Sequence, residues 1–357
     1  MALYIEERGG TPLVASSGGR WTEVLERHGV RHIPLPLHRK APWWLLWNMV
    51  VVWWLIWRYR IHIVHARSRA PAWSGWLACK MSFFTRVEFI TTFHGTYGSG
   101  NVWKRGYNRV MLRGKRVIAN SAFIKHHLVE TYHENPARID VAPRGVDMTV
   151  FDPAAHPPAE VRALHDALAG DAATPLLLMV GRLTRWKGHA VLLQALARVA
   201  DMPWAVALAG DCKNAAYLDE LKVLADDLGI RERVRFLGPR QDIAALNAAA
   251  DVALSCSTKP EAFGRVAIEA MAMETPVIAS AHGGSLETVA DGVTGWLVTP
   301  DDVETLAEAL RKAFRERRQW AAMGKAGRMR VLAQFTSRHT CEAEWEAYQR
   351  LWDMAAA

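Results

Sequence analysis

Residues Lys259–Glu274 read KPEAFGRVAIEAMAME. Two carboxylates, Glu261 and Glu269, flank Gly264, and the run from Arg265 onward has helix-forming composition. The preceding run, Asp251–Ser257 (DVALSCS), reads as a buried strand. The order is therefore strand, tight loop, then a helix opening near Gly264. A helix start carries unpaired N–H groups and about half a positive charge, which suits a diphosphate. Gly264, lacking a Cβ, lets a ligand come close to the backbone. Glu269 lies about 7.5 Å further along the axis at roughly 1.5 Å per residue, within reach of a ribose attached to such a diphosphate. Glu261, in the loop, would face the sugar side. The competing reading is an acidic residue on an amphipathic helix behind a short loop, and spacing alone does not choose between the two.

A second stretch, Met179–Gly188 (MVGRLTRWKG), follows the apolar run Pro175–Val180. Gly181 permits a sharp turn, and Arg182 and Lys187 then stand where a strand ends. Arginine offers a planar fork of donors and lysine a point charge, so the pair suits a diphosphate as well as an ordinary solvated surface.

Around these stretches the chain alternates short apolar runs with helical segments. The first half gives strands at Thr11–Ser16, Ile33–Pro36, Ile61–His65, Val87–Phe93, Arg116–Asn120 and Ile139–Ala142. Helices fall between them, among them Arg20–His28, Ala70–Met81 and Ser121–Tyr132. The second half gives strands at Pro175–Val180, Trp204–Gly210, Val234–Gly238, Asp251–Ser257, Pro276–Ser280 and Gly295–Thr299. Such alternation predicts an α/β fold with parallel sheets covered on both faces, whose ligands bind beyond the carboxyl ends of the strands. Proline-rich Asn135–Pro158 marks the junction of two domains, 1–150 and 151–335, with a last helix over 336–357 expected to pack back on the first domain.

One segment departs from the pattern. Ala41–Trp57 (APWWLLWNMVVVWWLIW) has six tryptophans, no charge, and Asn48 as its one polar residue. Arg39 and Lys40 precede it; Arg58 and Arg60 follow. It is short for a bilayer span of ~20 residues, and tryptophan favours the headgroup layer. The reading we carry forward is a helix lying in a membrane interface. A buried helix and a contact with a second chain are the alternatives.

At 357 residues, half of them hydrophobic, the chain can bury two cores and is not a disordered polymer. Four scattered cysteines with no CxxC pair argue against a zinc site or a disulfide framework and fit a reducing cytosol. The opening residues show no secretory h-region. The net charge of +8 is uneven. Residues 1–150 carry 21 Lys and Arg against 9 Asp and Glu, and the remainder 23 against 27. A basic first half invites an anionic partner: a bilayer, a phosphorylated acceptor or a nucleic acid, the last without any module signature. No GxGxxG follows a strand and no GxxxxGK[ST] occurs, which excludes the common dinucleotide and P-loop signatures.

The set GRLTRWKG (Gly181–Gly188), PEAFGRVAIEAMAMETPVIAS (Pro260–Ser280), HGGSLETVADGVTGWLV (His282–Val298), TTFHG (Thr91–Gly95), IANS (Ile118–Ser121) and PRGVD (Pro143–Asp147) resembles the family-4 retaining glycosyltransferases of the GT-B fold, nearest to bacterial lipopolysaccharide or capsule enzymes. The resemblance implies two Rossmann-like domains facing a cleft. It implies donor binding by Arg182 and Lys187 (diphosphate), Glu269 (ribose), and Glu261 with Ala262, Phe263 and Gly264 (sugar and reacting face). His94 would contact the donor sugar, so His94 and Glu261 are the expected catalytic pair; Gly283, Gly284 and Glu287 would be structural. With no Asp-x-Asp triplet, neither a metal nor a cofactor is expected beyond the nucleoside diphosphate sugar. A lipid-linked glycan acceptor at the inner face of the cytoplasmic membrane is expected, with Arg67 and Arg69 as its contacts. The family's first strand and glycine-rich loop are expected to be missing, because MALYIEERGGTPLVAS reads as a helix end running into a second strand. Gly9–Gly10 precedes that strand and Gly18–Gly19 follows it, and neither is placed like the donor loop. A truncated, inactive interaction module and a sugar-nucleotide epimerase of the same fold are the rival readings.

Overall fold

The structure is a computed structural model that describes residues 1–19, 21–97 and 101–356. Arg20, the first residue of the expected Arg20–His28 helix, lies outside them; the rest of that helix is Thr22–Arg27. The chain divides into two compact units: Met1–Pro143 together with the chain from Arg338 onward, and Arg144–Ser337.

In the first unit, β1 (Leu13–Ser16) and β2 (Arg31–Pro34) form a two-stranded parallel sheet. The second strand begins two residues earlier than expected. Pro34, which has no N–H to donate, is the last residue paired, opposite Ser16. A four-stranded parallel sheet follows in chain order: β3 (Ile63–Ala66), β4 (Glu88–Phe93), β5 (Arg116–Ala119) and β6 (Ile139–Val141). Among the described residues β1 and β3 each pair on one side only. β4 and β5 are almost wholly buried, as a strand covered on both faces must be. The Arg69–Met81 helix covers one face; Gly75 lets it close on Val64 and Phe89, where an added Cβ would lie 3.2 and 3.3 Å away. The carboxy-terminal Ser337–Ala356 helix belongs to the same unit, with Ala347, Tyr348 and Leu351 packed against Ile90, Ile118 and Ala142.

The second unit holds one six-stranded parallel sheet. Its strands are β7 (Leu176–Val180), β8 (Ala205–Ala209), β9 (Val234–Gly238), β10 (Val252–Ser255), β11 (Val277–Ser280) and β12 (Gly295–Val298), in the spatial order β12-β11-β10-β7-β8-β9. From β7 the chain builds outward through β8 and β9, then returns to the other side of β7 with β10. The order therefore reverses between β7 and β10, which in open α/β sheets is where ligands bind. The Arg265–Ala272 helix buries Ala267, Ile268, Ala270, Met271 and Ala272 almost completely. The Trp320–Gln334 helix closes over it at Gly324 and Gly327: a Cβ on Gly324 would fall 1.8 Å from the Glu274 carbonyl oxygen.

The tryptophan-rich segment forms the Pro42–Tyr59 helix, opened by proline at its first position and ended by Arg60 in a left-handed conformation. It is buried along one face only. Asn48, Leu55 and Ile56 point inward, while Trp43, Leu46, Trp47, Val50, Trp53, Trp54 and Trp57 are all exposed. Their three- and four-residue spacing makes one stripe on the helix, about 21 Å long at ~1.5 Å per residue. No helix among the described residues is long and apolar enough to cross a membrane.

Candidate active site

Three turns meet at the carboxyl ends of the adjacent strands β7, β10 and β11. The first, Gly181–Gly188, runs into a short 3-10 turn at Arg185–Lys187. An added Cβ on Gly181 would lie 3.6 Å from the Lys187 stem, an ordinary contact, so the lysine runs alongside this backbone. Gly188 is left-handed (φ +81°), and a Cβ on it would lie 1.8 Å from the Cys256 carbonyl oxygen. The second turn, Cys256–Gly264, is tied to the first by Thr258 N–H donating to the Trp186 carbonyl (2.8 Å). The third, Ala281–Gly284, is tied to the second: Gly284 N–H donates to the Glu261 carbonyl (2.9 Å), and His282 Nε2 pairs with the Ser257 carbonyl (2.8 Å).

Across the β7–β10 switch, Lys187 Nζ donates to Glu261 Oε1 at 2.7 Å, with each side chain only 12% exposed. The ammonium also lies 4.7 Å from the Trp186 ring centroid. The Ser257 hydroxyl donates to the same carboxylate oxygen. Ala262 is half-buried, and Phe263 sends its ring into the core against Phe335 (centroids 5.7 Å apart), so this loop offers backbone rather than side chain. Gly264, left-handed at φ +82° and ψ +50°, is the N-cap of the Arg265–Ala272 helix, so the helix opens where the sequence places its start.

Glu269 is buried on that helix, and Arg265 Nη2 donates to its Oε1 at 2.6 Å. Burial raises the Glu269 pKa above the ordinary carboxylate value, and the Arg265 charge and hydrogen bond oppose the rise. Arg182 is exposed, beside a cavity of about 250 Å³ lined by Arg182, Arg185, Asp211, Lys213 and Tyr217. Arg185 holds Glu220 with both carboxylate oxygens (2.9 and 2.7 Å) while lying over the Tyr217 ring.

His189, one residue beyond Gly188, is fully buried. Burial first, and then the Lys187 charge, lowers its pKa to about 4, so it is a neutral ring at neutral pH.

Of the residues expected at the site, Arg182, Lys187, Glu261, Ala262, Phe263, Gly264 and Glu269 all lie in the second unit. The Lys187–Glu261 ion pair joins two of the three turns, and Glu269 stands on the helix that opens at Gly264. His94, Arg67 and Arg69 lie in the first unit. His94 is half-buried just after β4. Arg67 Nη2 pairs with Glu344 of the carboxy-terminal helix, a carboxylate only 3% exposed. Burial alone would lower the Arg67 pKa, but Glu344 and Tyr348 outweigh it and the net displacement is upward. Arg69 donates to Asn108 Oδ1 (3.0 Å) and lies over the Tyr97 ring. Sequence reasoning missed Ser257, Arg265 and the contact role of Gly283 and Gly284. A Cβ on Gly284 would meet Phe263 Cα at 2.2 Å, and one on Gly283 the Glu261 carbonyl oxygen at 2.4 Å. The adjacent Gly283 and Gly284, expected only as structural residues, were the available signal. Among the described residues no His, Cys, Asp and Glu cluster could hold a metal ion.

Two α/β units of parallel sheet, the second doubly wound with charged loops at its topological switch point, define the GT-B class. Residues 162–330 match the family described as glycosyl transferases group 1, and residues 1–150 the family described as glycosyltransferase family 4. A glycosyltransferase from Rickettsia africae superposes with a TM-score of 0.89 at 34% identity, over 98% of this chain and 93% of that one. HepE of Anabaena, solved in complex with UDP and glucose, superposes at 0.81 with 26% identity, over 95% and 91%. The D-inositol 3-phosphate glycosyltransferase of Mycobacterium avium is 36% identical over 247 residues, which are 69% of this chain and 57% of that enzyme. The chain thus spans somewhat over half the length of that curated relative. It belongs to the glycosyltransferases, with a family-4 amino-terminal and a group-1 carboxy-terminal region.

Proposed function

We propose that the chain transfers a sugar, with retention of anomeric configuration, from a nucleoside diphosphate sugar to a hydroxyl of a lipid-linked glycan acceptor. The setting is cell-surface polysaccharide or lipopolysaccharide synthesis at the inner face of the cytoplasmic membrane. The observation that carries the reading is the Lys187–Glu261 ion pair beside the helix start at Gly264, at the point where the strand order reverses. A diphosphate laid on that helix start draws Lys187 from Glu261, and Arg182 closes from the exposed side. Glu261 is then free to accept hydrogen bonds from the donor sugar, with the backbone of Ala262, Phe263 and Gly264 beside it, and Glu269 takes the ribose hydroxyls. His94 is the proposed contact to the sugar from the first unit.

As the C1–oxygen bond to the diphosphate breaks, negative charge grows on the leaving group. Arg182, Lys187 and the helix N-terminus stabilise it, while C1 becomes oxocarbenium-like. The acceptor oxygen attacks C1 on the same face, and its proton passes to the departing diphosphate. No metal is needed to neutralise the diphosphate, because two cations and the helix start do so. UDP-glucose is the first donor to test, since HepE was solved with UDP and with UDP-glucose.

The stripe of exposed tryptophans, with Arg39, Lys40, Arg58 and Arg60 at its ends, supports docking of the first unit on an anionic leaflet. Arg67 and Arg69 remain the proposed acceptor contacts, Arg67 by exchanging Glu344 for an acceptor anion. A second acceptor class, a phosphorylated cyclitol, is favoured by the name of the mycobacterial relative. Transfer from UDP-glucose to a lipid-linked glycan and to inositol phosphate, with EDTA present and the product anomer read by NMR, tests all of this. A retained anomer on the lipid-linked acceptor is the expected result. Inverted product, or epimerised nucleotide sugar without acceptor, would remove the reading.

A further inference from the structure

The turn Ser82–Thr85, between the Arg69–Met81 helix and β4, carries Phe83 and Phe84 at its two central positions, 75% and 94% exposed. The backbone holds them there. Thr85 donates to the Ser82 carbonyl with both its N–H (3.0 Å) and its hydroxyl (3.1 Å). Ser82 in turn donates its N–H to the Cys79 carbonyl (3.1 Å) and its hydroxyl to the Ala78 carbonyl (2.8 Å). The turn is thus tied to the helix end, and the two rings stand edge to face, centroids 4.8 Å apart, in water. Two phenylalanines fixed in this way are an unfavourable surface for a chain that meets only solvent.

The charged residues beside them in the chain are positive. Lys80 and Arg86 flank the turn and are exposed. The nearest acidic residue in sequence, Glu88, is already neutralised by Lys115 (2.7 Å). The topology also places the turn. β3 and β4 are parallel, with Ile63 opposite Glu88, so the segments that enter them, Arg60–His62 and Ser82–Val87, lie at the same end of the sheet. The Pro42–Tyr59 and Arg69–Met81 helices pack side by side, the Ser74 hydroxyl donating to the Leu45 carbonyl (3.0 Å). Each helix ends just before its strand, so the tryptophan stripe runs out at Trp57 and Arg58 at the same end of the sheet as the phenylalanines.

We propose that the Phe83–Phe84 turn is a wedge that enters the acyl layer of an anionic bilayer and fixes the tilt of the first unit. The inference rests on the docking reading above and adds a second anchor to it. Indole carries a polar N–H and stays at the headgroup level, whereas a phenyl ring has no polar atom and partitions deeper. Lys80 and Arg86 then meet lipid phosphates at the rim, as Arg39, Lys40, Arg58 and Arg60 do along the stripe. A flat helix alone permits rolling about its own axis, and a rigid point beside one end removes that freedom.

The test uses the full chain and vesicles of phosphatidylcholine with and without phosphatidylglycerol, scored by flotation. F83S/F84S is compared with W47S/W54S, and circular dichroism checks that each variant folds. The expected result is wild-type binding to the anionic vesicles alone, with partitioning at least about tenfold weaker in F83S/F84S. If F83S/F84S floats like wild type while W47S/W54S does not, the wedge is wrong and the docking reading stands. If wild type does not float on anionic vesicles at low salt, both fall. If wild type is a dimer by light scattering and F83S/F84S a monomer, the turn serves a second copy of this chain and the wedge is overturned.

Discussion

Replacing Lys187 by alanine separates a structural ion pair from a ligand clamp. At 2.7 Å the Lys187–Glu261 attraction is about 6 kcal/mol gross, taking an effective dielectric near 20. Desolvation of two side chains, each 12% exposed, takes back most of it. Removing the lysine alone leaves Glu261 with Ser257 as its remaining side-chain partner and an uncompensated, largely buried charge, which costs roughly 2–4 kcal/mol of stability. In K187A/E261Q the stranded charge is gone, and the double variant recovers about 1–3 kcal/mol of that loss. Turnover does not return, because the diphosphate still lacks the Lys187 cation and the sugar its Glu261 carboxylate: each variant loses on the order of 100-fold, comparable to other electrostatic stabilisers. Urea unfolding measures the first quantity and UDP-glucose consumption with acceptor the second. If turnover rises together with stability in the double variant, Lys187 acts only through the fold and the clamp is refuted.

Other consequences can be checked on the same material. E269Q should weaken UDP binding by roughly 1–3 kcal/mol in calorimetry, as for a lost charged hydrogen bond. Folding raises the Glu269 pKa, so its ionisation opposes folding, and E269Q should stabilise the free protein modestly at neutral pH. His189 has the opposite dependence. Its pKa falls from 6.5 unfolded to about 4 folded, so the unfolded chain takes up the proton first as pH drops. Stability should fall by about 2 kcal/mol between pH 7 and pH 5 from this residue, a slope that H189N removes in parallel urea melts. G188A, whose methyl would meet the Cys256 carbonyl at 1.8 Å, should unfold the second unit or cost more than about 3 kcal/mol. G264A, with ordinary contacts of 3.6 Å or more, should cost only about 1–2 kcal/mol for its positive φ. R67A strands Glu344 at 3% exposure and should lower the melting temperature by at least about 5 °C, with R67A/E344Q recovering most of it.

The sheets were legible because their inner strands, such as β5, β7, β8, β10 and β11, are short, mostly apolar runs buried on both faces, and such runs survive without knowledge of their partners. The turns of the candidate site were legible for a related reason: in a parallel sheet the turns after the strands are where ligands bind, and Arg182, Lys187, Glu261 and Gly264 all follow strands. Contacts made by tertiary packing were not legible. Nothing local brings Gly284 against Phe263, and nothing local pairs His65 with Tyr348, 283 residues away, or Arg67 with Glu344. Arg265 was read as a helix former, although its four-residue spacing to Glu269 is an ion-pair spacing. Periodicity could not orient the Pro42–Tyr59 helix, because every face of it is apolar. Its exposed stripe is set by which residues the Arg69–Met81 helix covers.

The central claim is that a sugar nucleotide lies with its diphosphate at the start of the Arg265–Ala272 helix. A crystal of the full chain soaked with UDP tests it most directly. The account predicts phosphate oxygens within hydrogen-bond distance of Lys187 Nζ and of the backbone beside Gly264, with the ribose against Glu269. Diphosphate density elsewhere, with Lys187 still on Glu261, would contradict it.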